Sequence, residues 1–195
     1  RKQLGLAPDE VSVLAFGGSL GAERLNDALV ALAERVARDL PHVTLTFAAG
    51  KRDYDRTAAN LKGSAAAGCP RVSLLDYIYD MPVRMAAADL VVSRAGAMTV
   101  SELSLLGKAA VLVPSPYVAD NHQLRNAQAL VRAGAGVCVE EDGLPGGALE
   151  RAVLPLLAQS AERAAMGQRL QEGFACPDAN ERLCVELLRL ARGQA

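Results

Sequence analysis

Six short apolar runs punctuate the chain as far as Val139, and residues at helical spacing follow most of them. Val11–Phe16, Val43–Ala49, Val72–Leu75, Leu90–Ser93, Ala110–Val113 and Gly136–Val139 read as strands. After the first, Leu25, Leu29, Leu32, Val36 and Leu40 recur at the period of a helix that buries one face. Met81/Met85/Ala88, Val100/Leu103/Leu106 and Leu124/Ala127/Val131 repeat the pattern on shorter helices, and Gly107 and Gly134 stand where a left-handed terminating residue is expected. Near-continuous apolar strands alternating with helices demand a parallel sheet covered on both faces. The expected fold is therefore α/β, three layers, with a parallel sheet of about six strands. Beyond Val139 the pattern is helical only, over Leu149–Leu157, Arg163–Leu170 and Ala179–Ala191, and Gly143–Gly147 reads as a surface turn.

Composition narrows the function classes. The 195 residues suit one domain over 1–195, large enough to bury a core without staples. Basic and acidic residues balance at a formal net charge of -1, with no Lys/Arg stripe, which argues against a nucleic-acid partner. No apolar run approaches the roughly 18 residues that would span a bilayer. Cys69, Cys138, Cys176 and Cys184 show no C-x-x-C spacing and lie far from either histidine, so reduced thiols are expected rather than a zinc site or a disulfide frame. The chain opens at Arg1 rather than Met, inside a polar lead-in to the first strand, as expected of a piece of a longer protein.

Two segments carry chemistry. Gly17-Gly18-Ser19-Leu20-Gly21-Ala22 and Ser93–Glu102 each take an apolar run through small residues into a helical pattern. Such a turn aims unpaired main-chain N–H groups, at the positive end of a helix dipole, toward one spot, which attracts phosphate. Two in one domain, at the carboxyl ends of strands, predict a nucleoside diphosphate held between two helix starts. The first loop is not a dinucleotide fingerprint, because the second strand ends in Ala49-Gly50-Lys51 with no acid for a ribose, and it is not a P-loop. In the second, Gly96 and Ala97 permit close approach, and Thr99 and Ser101 suit a helix start. Glu102 has two open readings: a carboxylate for ribose hydroxyls, or half of a capping box with Thr99. Pro114–Gln123 runs from a strand end into a helix, with Asp120 or Asn121 as N-cap and His122-Gln123 at the same rim, suited to sugar hydroxyls or to a structural role. Asp53-Tyr54-Asp55 imitates a D-x-D metal motif but is expected to begin an exposed helix, so no metal is assigned.

Taken together, Gly-Gly-Ser-Leu-Gly-Ala, Arg-Ala-Gly-Ala-Met-Thr-Val-Ser-Glu and Pro-Ser-Pro-Tyr-Val-Ala-Asp-Asn-His-Gln-Leu-Arg-Asn-Ala closely resemble the MurG family of bacterial peptidoglycan glycosyltransferases. The resemblance covers essentially the whole chain. It implies a GT-B architecture in which this chain is the C-terminal, Rossmann-like donor-binding half. It implies binding of UDP-GlcNAc for transfer of N-acetylglucosamine to lipid I, giving lipid II. Residue by residue, it implies that Gly18, Ser19 and Gly21 meet the diphosphate, that the Ile78 main chain reads uracil, and that Ala97, Met98 and Thr99 donate N–H groups to phosphate. It likewise implies that Glu102 holds the ribose and that His122, Gln123 and Asn126 serve the sugar; some members carry Gln where this chain has His122.

The same resemblance implies an absent N-terminal domain with the acceptor loop, a candidate base and the membrane-docking patch. Nor does the Asn-Pro-x-Arg segment that normally precedes the first strand appear here. The expected consequences are no catalytic residue in this chain, no cofactor, contact with lipid I and the membrane only through the missing domain, and a cytoplasmic location at the inner face of the cell membrane. Three rivals remain at this point: another GT-B donor domain, for a glycolipid or a natural product; a sugar-nucleotide epimerase; and an NAD-binding module.

Overall fold

The computed structural model describes residues 1–192. Six parallel strands lie in the order β3-β2-β1-β4-β5-β6: β1 Val11–Phe16, β2 Val43–Ala48, β3 Val72–Leu75, β4 Leu90–Ser93, β5 Ala110–Leu112 and β6 Val137–Cys138. The order reverses between β1 and β4. Successive connections there diverge to opposite faces and leave a crevice beyond the strand ends. Register fixes the depth of that crevice: Phe16 pairs with Ser93 on one side and Ala48 on the other, so all three chains leave the sheet at one level.

Among the described residues eight α-helices accompany the strands: α1 Glu23–Asp39, α2 Tyr54–Lys62, α3 Met81–Ala87, α4 Ala97–Leu106, α5 His122–Arg132, α6 Ala148–Ala158, α7 Ser160–Phe174 and α8 Ala179–Ala191. The stripe anticipated on α1 is the buried one, with Leu25, Leu29, Leu32 and Val36 sealed against Val13, Leu45, Phe47 and Val92. Each such side chain contributes on the order of 1.5–3 kcal/mol by leaving water. The opposite sheet face packs Leu14, Val91 and Leu112 against Met85, Leu103 and Leu130 of α3, α4 and α5. Gly107 ends α4 at φ 58, the left-handed conformation that its place in the sequence anticipates.

Two expectations need correction. Gly143–Gly147 is not a mere surface turn: Glu141–Gly146 forms a short 3-10 helix whose Leu144 is buried in the α1 core, because one apolar side chain faces inward. Asp53 is not solvated either. It precedes α2 but its side chain is only 10% exposed, since Gly21 and Gly50 bring two loops together over it. At the far end of the chain, α8 buries none of its residues and exposes Leu183, Val185, Leu187, Leu188 and Leu190. No helix among the described residues is long and apolar enough to cross a membrane.

Candidate functional site

At the β1/β4 reversal the two glycine loops face one cleft of about 730 Å³. Gly17–Ala22 forms one wall, and Gly96, Ser115 and Gln123 come from the other side. Gly18 and Gly21 hold φ 99 and φ 91, which a side chain rarely adopts. Gly21 has no room for one either: a Cβ there would run into Ala49 O and come within 2.6 Å of Asp53 Oδ2. Close packing of main chain on main chain is what lets the loop turn tightly enough for α1 to start beside the cleft.

Both helices begin without a side-chain cap. Ala22 and Gly96 occupy the N-cap positions of α1 and α4, and neither has a side chain that could accept a helix N–H. The first main-chain bonds inside them run from Asn26 N to Ala22 O and from Val100 N to Gly96 O. The N–H groups of Glu23–Leu25 and of Ala97, Met98 and Thr99 are therefore left over at the two positive helix ends. Thr99 sits inside the first turn of α4 rather than at its cap, so the capping box with Glu102 does not form. Glu102 is exposed, and no hydrogen bond or ion pair among the described residues engages its side chain.

The third segment is more constrained. Asp120 and Asn121 both take positive φ, 54 and 50, costing on the order of 1–2 kcal/mol each for residues with a Cβ. Asn121 is the N-cap of α5 by position only, with no side-chain bond. The strained turn carries His122 to the rim, where its Nδ1–H donates to Ala119 O at 3.0 Å; a carbonyl can only accept. In the neutral ring that leaves Nε2 as a free acceptor. Gln123 Oε1 accepts the Ser115 N–H, so the amide presents its NH₂. Asn126 is turned the other way, Nδ2 donating to Ala95 O at 3.0 Å and tying α5 to the turn before α4.

Of the anticipated residues, Gly18, Ser19, Gly21 and Gln123 share the cleft lining; Ile78, Ala97, Met98, Thr99, Glu102, His122 and Asn126 lie outside it. Ile78 follows β3 and is 4% exposed as a whole residue, and no hydrogen bond among the described residues engages its main chain. Sequence reading missed the pair beneath the cleft. Arg94 Nη2 lies 2.6 Å from Glu141 Oε2, with side chains 14% and 5% exposed, while Arg94 Nη1 donates to Val113 O and Pro114 O. One guanidinium thus pins the β4, β5 and β6 loops together. A charged residue heading an otherwise small-residue turn was the available signal. Asp53 and Asp55 do not converge: the first is buried and the second exposed, so they form no chelating pair.

Comparison with known proteins follows the same lines. The model of the glycosyltransferase family 28 C-terminal domain matches residues 12–183. A protein of Acetivibrio thermocellus is 47% identical over 144 residues, 74% of this chain and 38% of its own length. One from Lacticaseibacillus casei is 38% identical over 189 residues, 97% of this chain and 50% of its own. Both carry the name UDP-N-acetylglucosamine--N-acetylmuramyl-(pentapeptide) pyrophosphoryl-undecaprenol N-acetylglucosamine transferase. The crystal structure of Acinetobacter baumannii MurG superposes with a TM-score of 0.77 at 26% identity, over 96% of this chain and 52% of that one. The chain spans about half the length, or less, of the relatives it matches.

Proposed function

Because the chain belongs to the glycosyltransferase family 28 C-terminal domain family, we propose that it is the donor-binding half, residues 1–195, of the enzyme that transfers N-acetylglucosamine from UDP-GlcNAc to lipid I in peptidoglycan synthesis. The observation that carries this reading is the convergence of two uncapped helix starts, α1 and α4, on the cleft at the β1/β4 reversal. Their leftover N–H groups suit the diphosphate in the ground state and the charge that grows on departing UDP. Such fixed dipoles need no reorganisation when the glycosidic bond breaks.

Around that centre each group has a task. The unengaged main chain of Ile78 offers a donor and an acceptor for the uracil edge. Glu102, free of any capping duty, accepts the ribose hydroxyls. Gln123 presents its NH₂ to the sugar, with His122 Nε2 beside it. Asn126 supports the turn before α4 rather than reaching the ligand first. No base for the acceptor hydroxyl belongs to this half: His42 precedes β2 at the opposite end of the sheet, and His122 is committed to the donor rim. The base, lipid I and contact with the cytoplasmic face of the membrane fall to the other half, and the chemical step uses no metal.

Calorimetric titration tests the reading. The chain is expected to bind UDP and UDP-GlcNAc and to prefer them to ADP and GDP counterparts; equal or tighter binding of ADP-glucose overturns the uridine assignment. In EDTA, with UDP-GlcNAc and a lipid I analogue, this chain alone is expected to make no product and the full-length enzyme to be active. Turnover by the chain alone would relocate the base. Loss of full-length activity in EDTA, restored by Mn²⁺, would bring back a metal.

A further inference from the structure

The Asp53-Tyr54-Asp55 segment, discounted as a metal motif, places a different device at the cleft. Asp53 is buried beneath Gly21, and its Oδ1 accepts Arg52 Nε at 3.1 Å. Its Oδ2 has no hydrogen-bond partner among the described residues. The Arg52 side chain is 68% exposed, lines the cleft, and has neither terminal nitrogen engaged by any hydrogen bond among the described residues. The other two cleft arginines are committed: Arg94 to Glu141 and two carbonyls, Arg24 through Nη1 to Asp142.

We propose that Arg52 is an oxyanion anchor of the cleft, aimed by the buried carboxylate of Asp53, which acts as a positioning residue. Fixing a guanidinium at Nε removes most of its rotamer freedom and leaves two parallel N–H directions for a phosphate oxygen. The entropy that ordering a long side chain would cost on binding is then already met in the free protein. Asp53 stands at the N-cap position of α2, yet its side chain makes no cap bond, and among the described residues its second oxygen has no partner, so the Arg52 Nε bond is the one hydrogen bond its carboxylate makes there. The inference rests on the cleft being a diphosphate site. The phosphate it takes belongs either to the nucleoside diphosphate or to the pyrophosphoryl group of the second substrate, and the same chemistry serves both.

Titration of the 195-residue chain with UDP, with uridine, and with inorganic pyrophosphate, free and UDP-saturated, separates these cases. Arg52→Gln is expected to weaken UDP about tenfold and leave uridine unchanged, as loss of one charged hydrogen-bond partner would. Weakening confined to pyrophosphate on the UDP-saturated chain assigns the anchor to the second substrate. Unchanged affinity in every titration overturns it. Failure of the parent chain to bind UDP at all strikes the functional reading instead, and the pyrophosphate titrations of Arg52→Gln then decide the anchor alone.

Positioning has its own readout. Asp53→Ala is expected to weaken the same ligand, and Arg52→Gln with Asp53→Ala to be no weaker than Arg52→Gln alone; effects that multiply overturn the role of Asp53. Should Asp53→Ala fail to fold, Arg52→Lys decides, since lysine keeps the charge but has no Nε to be clamped. Affinity near that of Arg52→Gln supports the clamp, and full recovery overturns it.

Discussion

Gln123 Oε1 accepts the main-chain N–H of Ser115 at 2.9 Å, and this bond decides which end of the amide meets a ligand. Glutamate at 123 would keep the acceptor for Ser115 and lose both donors. Gln123→Glu is therefore expected to weaken UDP-GlcNAc by about five- to tenfold and leave UDP within about twofold, measured calorimetrically. An equal loss for both ligands would mean that the residue only shapes the loop.

Glu102 makes no interaction that stabilises α4, so its removal is expected to leave thermal stability unchanged. Glu102→Gln should nevertheless weaken UDP ten- to a hundredfold, on the order of 1.5–3 kcal/mol for a charged hydrogen bond. For 2′,3′-dideoxy-UDP the loss should be much smaller. Equal losses for the two nucleotides would remove the ribose assignment.

Gly18 and Gly21 separate strain from collision. Both have positive φ, but a Cβ on Gly18 meets open space, whereas one on Gly21 meets Ala49 O and Asp53. Urea unfolding is expected to give a cost of about 1–2 kcal/mol for Gly18→Ala and clearly more for Gly21→Ala. Equal costs would show that the loop yields.

Arg94 and Glu141 form a pair of which neither member can be removed alone without leaving a buried charge. Arg94→Ala is expected to cost about 3–5 kcal/mol in urea unfolding, and the double change Arg94→Met with Glu141→Leu less than that. A single-variant cost below about 1 kcal/mol would place the pair in the solvent-screened class.

Burial, with help from Glu140, pushes the Cys138 thiol above its ordinary range. At mildly alkaline pH it therefore holds less thiolate than an unburied cysteine, and it is half-buried where Cys176 and Cys184 stand exposed. Alkylation followed by mass spectrometry is expected to label Cys176 and Cys184 first and Cys138 more slowly. The linkage sign is the same: the folded chain keeps this proton longer than the unfolded chain, so stability falls as pH rises through the folded pKa.

The scaffold was legible because strand and helix periods are local. Val11–Phe16, Val72–Leu75 and Leu90–Ser93 form strands with the expected ends, and the Leu25–Val36 stripe is the buried face of α1. Both helix-start loops were legible for the same reason, their small residues being adjacent in sequence. Of the two readings left open for Glu102, the capping box with Thr99 falls away, because Gly96 in extended conformation already opens the helix three positions earlier. Asp53 and the Arg94–Glu141 pair were illegible for a deeper reason. A carboxylate beside arginine in a polar segment looks solvated until distant loops close over it, and no spacing rule links position 94 to position 141.

Gly21 and Gly50 meet through main chain: a Cβ on Gly50 would strike the Gly21 N and Cα. Contacts between side chains can drift over generations, a large residue on one side answered by a small one on the other. Here neither neighbour has a side chain to give up, so no second substitution repairs the first. The two positions form a seam closed by main chain alone, and it is this seam that fastens the loop bearing Arg52 to the loop bearing Ser19.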